Sequence, residues 1–137
     1  MQNGKEYIVD SQVHKSVVST RRTPTVIIDP VKGMISIEGR SMPVNANDFY
    51  LPIIKKLGEY IKRPALKTTC NFKIEYIDSS SSQLILLFIK KLKYLEELGY
   101  ELTVNWYYME DDYDILDTGK TFSYLSDVKF DFIACFN

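Results

Sequence analysis

Apolar and polar residues alternate along three segments of the chain, which is typical of β-strands with one buried face. The segments are Thr69 to Ile77, Glu101 to Tyr108 and Val128 to Phe136. The clean alternation of the first indicates that one face of the sheet is less covered than the other. The residues predicted to share a buried face are Cys70, Phe72, Ile74 and Tyr76 in the first segment, Leu102, Val104, Trp106 and Tyr108 in the second, and Phe130, Phe132, Ala134 and Phe136 in the third.

Two other segments have apolar residues at the spacing of a helix. The first helix is predicted from about Pro52 to Ile61, after a tight or bent first turn, because a proline inside a helix removes a backbone hydrogen bond. Asn45 or Asn47 can cap it. The second is predicted from Leu84 to Leu98, with Gly99 as its carboxyl-terminal cap. The apolar stripes are Tyr50, Ile53, Ile54, Leu57 and Ile61 in the first helix, and Leu84, Leu87, Phe88, Leu92 and Leu95 in the second.

The amino-terminal part predicts a β-hairpin. Thr25 to Asp29 is rich in β-branched residues, Asp29 to Gly33 has turn chemistry, and Met34 to Glu38 alternates again. Residues 1–22 are polar, and we expect them to form an arm or an edge strand outside a domain of residues 23–137.

Together these elements predict one compact α/β domain with a mixed sheet of about five strands and two main helices. The hairpin comes first, followed by a β-α-β unit whose strands, joined through a helix, are parallel with a right-handed crossover. Between the β-α-β unit and the last strand, Thr121 to Asp127 is expected to form a short helix. A length of 137 residues suits a single domain.

Charge and composition exclude several partners. The net charge is −1, so no basic excess indicates nucleic acid or an anionic membrane surface. The longest apolar run, Leu84 to Ile89, is too short to span a bilayer, and the polar amino terminus lacks the apolar core of a signal peptide. Cys70 and Cys135 are expected to be free thiols rather than a disulfide framework. We therefore expect a cytoplasmic protein.

The chain lacks the residues that common enzymes need. His14 is the only histidine and lies in the polar arm, and the sequence has no C-x-x-C, H-E-x-x-H or glycine-rich phosphate loop. The acidic stretch from Glu110 to Asp117 departs from a calcium loop, because Leu116 stands at a ligand position and no glutamate follows at the right distance. We expect no catalysis, no bound metal and no cofactor.

The run Asp78-Ser79-Ser80-Ser81-Ser82 is the most informative feature. It follows a strand and precedes a helix, and open α/β sheets place their sites at this end of a strand. One interpretation is plain helix capping, which needs only one such residue. The other is a phosphorylation site, where a phosphoryl group would meet free N–H groups and the positive end of the helix dipole. The residues alone leave both open.

Four ordered segments resemble the SiaC family of bacterial regulatory phosphoproteins, from about Thr20 to Phe136. The resemblance is carried by Thr23-Pro24-Thr25-Val26 with Asp29, by Gly39 to Ala46 leading to Phe49-Tyr50, by Tyr76-Ile77-Asp78-Ser79-Ser80-Ser81, and by Trp106 with Asp111-Asp112-Tyr113-Asp114 and Gly119. It implies a fold akin to anti-sigma-factor antagonist (STAS) domains. It also implies that the unphosphorylated form activates a diguanylate cyclase in cyclic diguanylate and biofilm signalling. A dedicated serine/threonine kinase and a metal-dependent phosphatase would control the switch.

The resemblance also implies a set of site residues. The family's phosphoacceptor threonine falls on Ser79, and its preceding asparagine on Asp78; both changes approach the Asp-Ser-Ser of antagonist domains, so Ser80 is an alternative acceptor. The expected surroundings of the site are Tyr76, Asp78, Ser81 and Ser82. The partner-binding candidates are Arg40, Ser41, Pro43, Asn45, Tyr50, Trp106, Asp111, Asp112 and Asp114.

The effector is the part of the resemblance that the sequence leaves most open. Val44 stands where the family often has glutamate, so the partner of this chain can differ. An anti-sigma-factor antagonist acting on another effector would fit the same switch. So would a constitutive interaction module in which the serines only cap a helix.

Overall fold

The computed structural model describes residues 22–136 and, before them, the two-residue strand Lys15–Ser16. The six strands are β1 Lys15–Ser16, β2 Thr25–Asp29, β3 Met34–Ser41, β4 Lys67–Ile77, β5 Glu101–Met109 and β6 Phe130–Cys135. The three helices are α1 Ala46–Lys62, α2 Ser79–Glu97 and α3 Tyr113–Ser126. We predicted residues 1–22 to form an arm or an edge strand, but most of this segment lies outside the described residues. Those described are β1, at the edge of the sheet beside β2, and Arg22.

The strands lie in one sheet in the order in which they occur along the chain. β1, β2 and β3 are antiparallel, while β3, β4, β5 and β6 are parallel. Parallel neighbours joined in order by right-handed crossovers place every connecting helix on the same face. The strand residues on that face, such as Ile35, Cys70 and Val104, are buried in one core with the helices. The predicted mixed sheet with a hairpin followed by β-α-β is confirmed.

The first helix begins earlier than the sequence predicted. α1 starts at Ala46, so Pro52 lies inside it and not at its first regular turn. The expectation of a helix from about Pro52 was wrong because packing outweighs the lost hydrogen bond: Phe49 and Tyr50 before the proline, and Ile53 and Ile54 after it, are all buried.

The second helix also begins earlier, at Ser79 instead of Leu84. Its buried stripe includes Ile85 and Ile89, whereas Leu87, which we expected in the stripe, is 45% exposed. Gly99 follows the helix with a φ of 94°, as a Schellman cap requires. The Gly99 and Tyr100 amides donate to the carbonyls of Glu96 and Leu95, at 3.0 and 2.9 Å.

A β-bulge corrects the prediction for Tyr76. Gly39 pairs with Ile74 and Arg40 pairs with Tyr76, so Glu75 is an extra residue in β4. The bulge reverses the alternation after Ile74. Tyr76 therefore lies with Arg40 on the face away from the helices, while Ile77 packs against the core.

The acidic stretch forms the start of a third full helix. α3 covers 14 residues, whereas only a short helix over Thr121 to Asp127 was predicted. Asp112 caps it by accepting from the Ile115 amide at 3.1 Å. Against the predicted alternation of the last strand, Phe130 is buried but Phe136 is exposed. Among the helices of the described residues, none has the length and apolarity to cross a membrane.

Candidate functional site

Two helices begin side by side at the carboxyl edge of the parallel strands. Asn45 caps α1, its side chain accepting from the Asp48 amide at 3.1 Å. Asp78 caps α2, accepting from the Ser81 amide at 2.8 Å. The backbone also ties the two strand ends together, because the Asp78 amide donates to the Ser41 carbonyl at 2.9 Å. The positive ends of two helix dipoles therefore meet at one corner of the molecule.

A shallow hollow of about 480 Å³ lies between these two helix starts. We call it the corner hollow. None of the residues that line it has an ionisable side chain. They are Val44, Asn45, Ala46, Asn47, Ser79, Ser80, Gln83 and Leu84. The hollow thus offers free helix amides and hydroxyls to an anionic group without a carboxylate in its wall.

The four serines of the run have different surroundings because they occupy successive positions of one helical turn. Ser79 and Ser80 are exposed and line the corner hollow. Ser81 is fully buried and Ser82 is half-buried. Since Asp78 already caps the helix, the hydroxyls of Ser79 and Ser80 are not required for capping.

A buried chain of hydroxyls lies beneath the serine turn. Ser41 Oγ lies 2.5 Å from Tyr50 Oη and donates to Ser81 Oγ at 2.8 Å. Ser81 Oγ in turn lies 3.3 Å from the Ser41 carbonyl. All three side chains are 0% exposed, and burial raises the pKa of the Tyr50 phenol above its ordinary range. These hydrogen-bonded hydroxyls link β3, α1 and α2 and fix the start of α2.

Burial corrects part of the predicted partner surface. Ser41, Tyr50 and Trp106 are fully buried and Pro43 is buried, so none of the four presents a side chain to a partner. The reason is that Ser41 and Tyr50 belong to the hydroxyl chain, while Trp106 is enclosed by aromatic rings and donates from Nε1 to the Ile115 carbonyl at 2.9 Å.

The other partner-binding candidates remain accessible but do not form one cluster. Asn45 lines the corner hollow. Asp114 lines a groove of about 600 Å³ between α2 and α3, together with Ser82 and Gln83. Arg40 and Asp112 line a third depression, and Asp111 is exposed beside it. Of the three acidic candidates, Asp114 at the start of α3 is therefore the one that lines a groove with a residue of the serine run.

Arg40 and Tyr76 form a pair beside the site. The guanidinium carbon of Arg40 lies 5.3 Å from the centre of the Tyr76 ring, a cation–π contact. The contact exists because the bulge at Glu75 turns Tyr76 to the same face as Arg40. Arg40 is the residue directly before Ser41, so this pair borders the hydroxyl chain.

Sequence reasoning missed Gln83 as a site residue, and it noted Val44 only as a departure from the family that bears on the partner. Gln83 lines both the corner hollow and the α2–α3 groove. Val44 is 90% exposed in the wall of the corner hollow, which is unusual for valine. The available signal for Gln83 was its distance of one helical turn from Ser79, once the helix is started at Asp78.

Comparisons with known proteins give the family and the fold of the chain. The sequence profile of the SiaC family regulatory phosphoproteins matches residues 17–135. The crystal structure of apo-SiaC from Pseudomonas aeruginosa superposes with a TM-score of 0.79 at 18% identity, covering 90% of this chain and all 100% of that one. SiaC in the crystal structure of diguanylate cyclase SiaD with its activator SiaC, from the same organism, gives 0.77 at 18%, covering 89% of this chain and 98% of that one. No curated protein sequence matches significantly.

The chain is a single α/β domain in which two serine hydroxyls are exposed at the start of a helix, and the matching sequence profile is that of regulatory phosphoproteins. The profile match spans most of the chain. The chain belongs to the SiaC family of regulatory phosphoproteins.

Proposed function

We propose that this protein is a phosphorylation-controlled adaptor whose unphosphorylated form binds and activates a diguanylate cyclase in the cytoplasm. The observation that carries the proposal is the state of Ser79. It is the first residue of α2, it is exposed, and in the described structure its hydroxyl makes no hydrogen bond, because Asp78 supplies the cap. A hydroxyl with no structural task at a helix start is available to a kinase.

Phosphorylation at this position would change the corner without unfolding it. A phosphoserine carries about −1.5 to −2 charges at pH 7. At the start of α2 this charge would face the positive ends of two helix dipoles and would be stabilised there. The Asp78 carboxylate is held by the Ser81 amide, which turns it toward the helix backbone. Phosphorylation would therefore act on a protein docked over the corner hollow, because it adds negative charge and volume to the contact surface.

Ser79 is the preferred acceptor and Ser80 the alternative. Ser80 Oγ lies 3.3 Å from Asp78 Oδ1 and donates to it, so its hydroxyl is partly engaged. Ser81 is excluded by its complete burial in the hydroxyl chain. Burial thus distinguishes Ser81 from Ser79 and Ser80, and the hydrogen bond to Asp78 distinguishes Ser80 from Ser79.

A solved complex of a structural relative supports the choice of effector. SiaC of Pseudomonas aeruginosa is named there as the activator of diguanylate cyclase SiaD. We propose the same class of effector here, with a cognate serine/threonine kinase and a metal-dependent phosphatase setting the phosphorylation state. Val44 in the wall of the corner hollow would be part of the contact, and its apolar side chain favours an apolar residue on the effector.

The modification itself is tested by peptide mass spectrometry of the protein from its native cells with phosphatase inhibitors present. We expect one phosphate, on Ser79. Loss of the phosphate in Ser79→Ala but not in Ser80→Ala would support this assignment, and the reverse pattern would transfer the acceptor to Ser80. If the serine run stays unmodified in every growth state, the proposal of a phosphorylation switch would be wrong and the run would serve only as the start of α2.

The switch is tested by partner binding. Ser79→Asp is expected to weaken binding to the cognate cyclase at least tenfold, and Ser79→Ala to bind as the unmodified wild type does. Leu66→Asp is a matched control, since it adds the same charge at an exposed position, 83% accessible, at the opposite edge of the sheet. If Ser79→Ala captures an anti-sigma factor and not a cyclase, the proposed switch would stand but the proposed effector would be wrong.

A further inference from the structure

One face of the sheet has no helix on it in the part of the chain that the structure describes. Parallel sheets are ordinarily covered on both faces, because their strands are joined through helices on either side. Here the sequential order of β3, β4, β5 and β6 places α1, α2 and α3 on one face only. We call the other side the open face. Its central residues are Ser36, Glu38 and Arg40 of β3, Asn71, Lys73 and Tyr76 of β4, Asn105 and Tyr107 of β5, and Ile133 of β6.

The open face carries charges of both signs that do not pair within the described chain. Glu38 and Lys73 are direct neighbours in the β3–β4 register, yet they form no salt bridge. Lys73 Nζ lies instead over the Tyr107 ring, 4.8 Å from its centre, and Arg40 lies over Tyr76. Opposite charges set side by side and unpaired are available to bind complementary charges on another surface.

The open face is also partly apolar, and it has depressions into which side chains of another surface could insert. Ile27, Tyr107 and Ile133 are half-buried within it. Two depressions lie in it, of about 530 and 320 Å³, and both are lined by Glu38 and Lys73. Asn105 Nδ2 donates to Asn71 Oδ1 at 2.8 Å, which fixes the amides at its centre.

We propose that the open face binds the open face of a second copy of this chain, forming a two-fold symmetric dimer. A two-fold axis parallel to the strands, between β3 and β4, sets β3 of each copy over β4 of the other. The register then places Glu38 over the partner's Lys73, Ser36 over the partner's Asn71, and Arg40 over the partner's Tyr76. Each of these contacts occurs twice, so the face is complementary to itself, as an isologous interface must be.

The size of the face predicts a weak dimer. Four strands spaced about 4.8 Å apart, with about six residues each, span roughly 20 Å in each direction. Such a footprint is at the lower end of specific interfaces. Because an axis parallel to the strands preserves their direction, both corner hollows lie at the same edge of the dimer. The dimer would therefore present two copies of Ser79 to one side.

Charge exchange between Glu38 and Lys73 tests the arrangement, measured by sedimentation velocity of the full chain over a range of concentrations. The wild type is expected to show a monomer–dimer equilibrium. Glu38→Lys and Lys73→Glu should each dimerise at least tenfold more weakly, because each sets like charges against one another at both contacts. An equimolar mixture of the two variants, and the double variant, should regain the dimer, because opposite charges again meet at both contacts.

Controls on the helix side separate this contact from a general effect of charge. Lys90→Glu and Glu97→Lys change exposed residues of α2 and should leave the equilibrium as in the wild type. A wild type that is monomeric at every concentration would overturn the proposal and assign the open face to a different occupant. A dimer that persists in both single variants, or a mixture that stays monomeric, would overturn the proposed register.

Discussion

The serine run shows how position in a helix separates residues of identical chemistry. Ser79 and Ser80 point outward at the start of α2, whereas Ser81 reaches Ser41 across the core. The sequence identified the run but could not assign these roles, because they depend on which residue caps the helix and on which helical face meets β3. The same dependence removed Ser41 and Tyr50 from the predicted partner surface.

Gly119 is the residue at which close packing is most demanding. A Cβ built on it would lie 2.5 Å from Nε1 of Trp106, whose ring is held among Phe72, Phe122 and Phe130 and cannot retreat. The helix α3 can therefore lie on the sheet only with glycine at this position. In the sequence, Gly119 gave no sign of this role.

Gly119→Ala is expected to destabilise the protein. Overpacking costs about 1–3 kcal/mol, which outweighs the gain of about 1 kcal/mol in helix propensity. Gly58→Ala is the matched control in α1, because its Cβ would meet only the flexible end of Lys91, at 3.2 Å. Urea unfolding should show a lower midpoint for Gly119→Ala and an equal or higher one for Gly58→Ala. Equal stabilities of the two variants would contradict the tight approach of α3 to Trp106.

At the scale of elements, the strands were predicted well and the helix starts poorly. Alternation places Cys70, Phe72 and Ile74 on the core face as expected, because a strand period of two depends only on the chain itself. The bulge at Glu75 reverses this alternation for Tyr76, and the pattern of apolar residues in the sequence does not reveal a bulge. α2 and α3 begin with polar residues, which look like loop until a capping aspartate is recognised.

Asp78 is expected to determine the stability of the start of α2. Asp78→Ala removes the side-chain acceptor of the Ser81 amide and should lower the free energy of unfolding by about 0.5–2 kcal/mol. Asp78→Asn keeps an acceptor of equal capping strength and should stay near the wild type. The measurement is urea unfolding, with hydrogen exchange at the amides of 79–82 as a local readout. An equal loss in both variants would show that the charge of Asp78, and not its capping bond, matters.

At the scale of the whole molecule, one core joins five strands to all three helices. It runs from Val26 in β2 to Phe130 in β6, with Cys70 at 0% exposure near its centre. Burial alone raises the pKa of the Cys70 thiol above its ordinary range, so the reactive thiolate is disfavoured in the folded state. Access to this thiol therefore reports on opening of the core.

Cys70 is expected to resist alkylation until the whole domain unfolds. Iodoacetamide labelling followed by peptide mass spectrometry should modify Cys70 at a rate that rises in parallel with global unfolding in urea. Cys135, which is half-buried, should react in the native protein and serves as the internal control. Rapid native labelling of Cys70 would contradict a closed core. As pH rises through the ordinary thiol range near about 8.5, the unfolded state ionises first, so this group's contribution to stability should fall.

The sequence by itself determined the elements that depend on local chemistry: five of the strands, the hairpin turn at Gly33, the cap at Gly99 and the position of the serine run between β4 and the body of α2. Periodicity, turn residues and caps act over a few residues, so they can be read from the chain. Only the tertiary structure decided which hydroxyls are accessible, where the bulge turns Tyr76, and that all three helices lie on one face. These depend on contacts between residues far apart in sequence, such as Ser41 with Ser81 and Trp106 with Gly119, which no local pattern records.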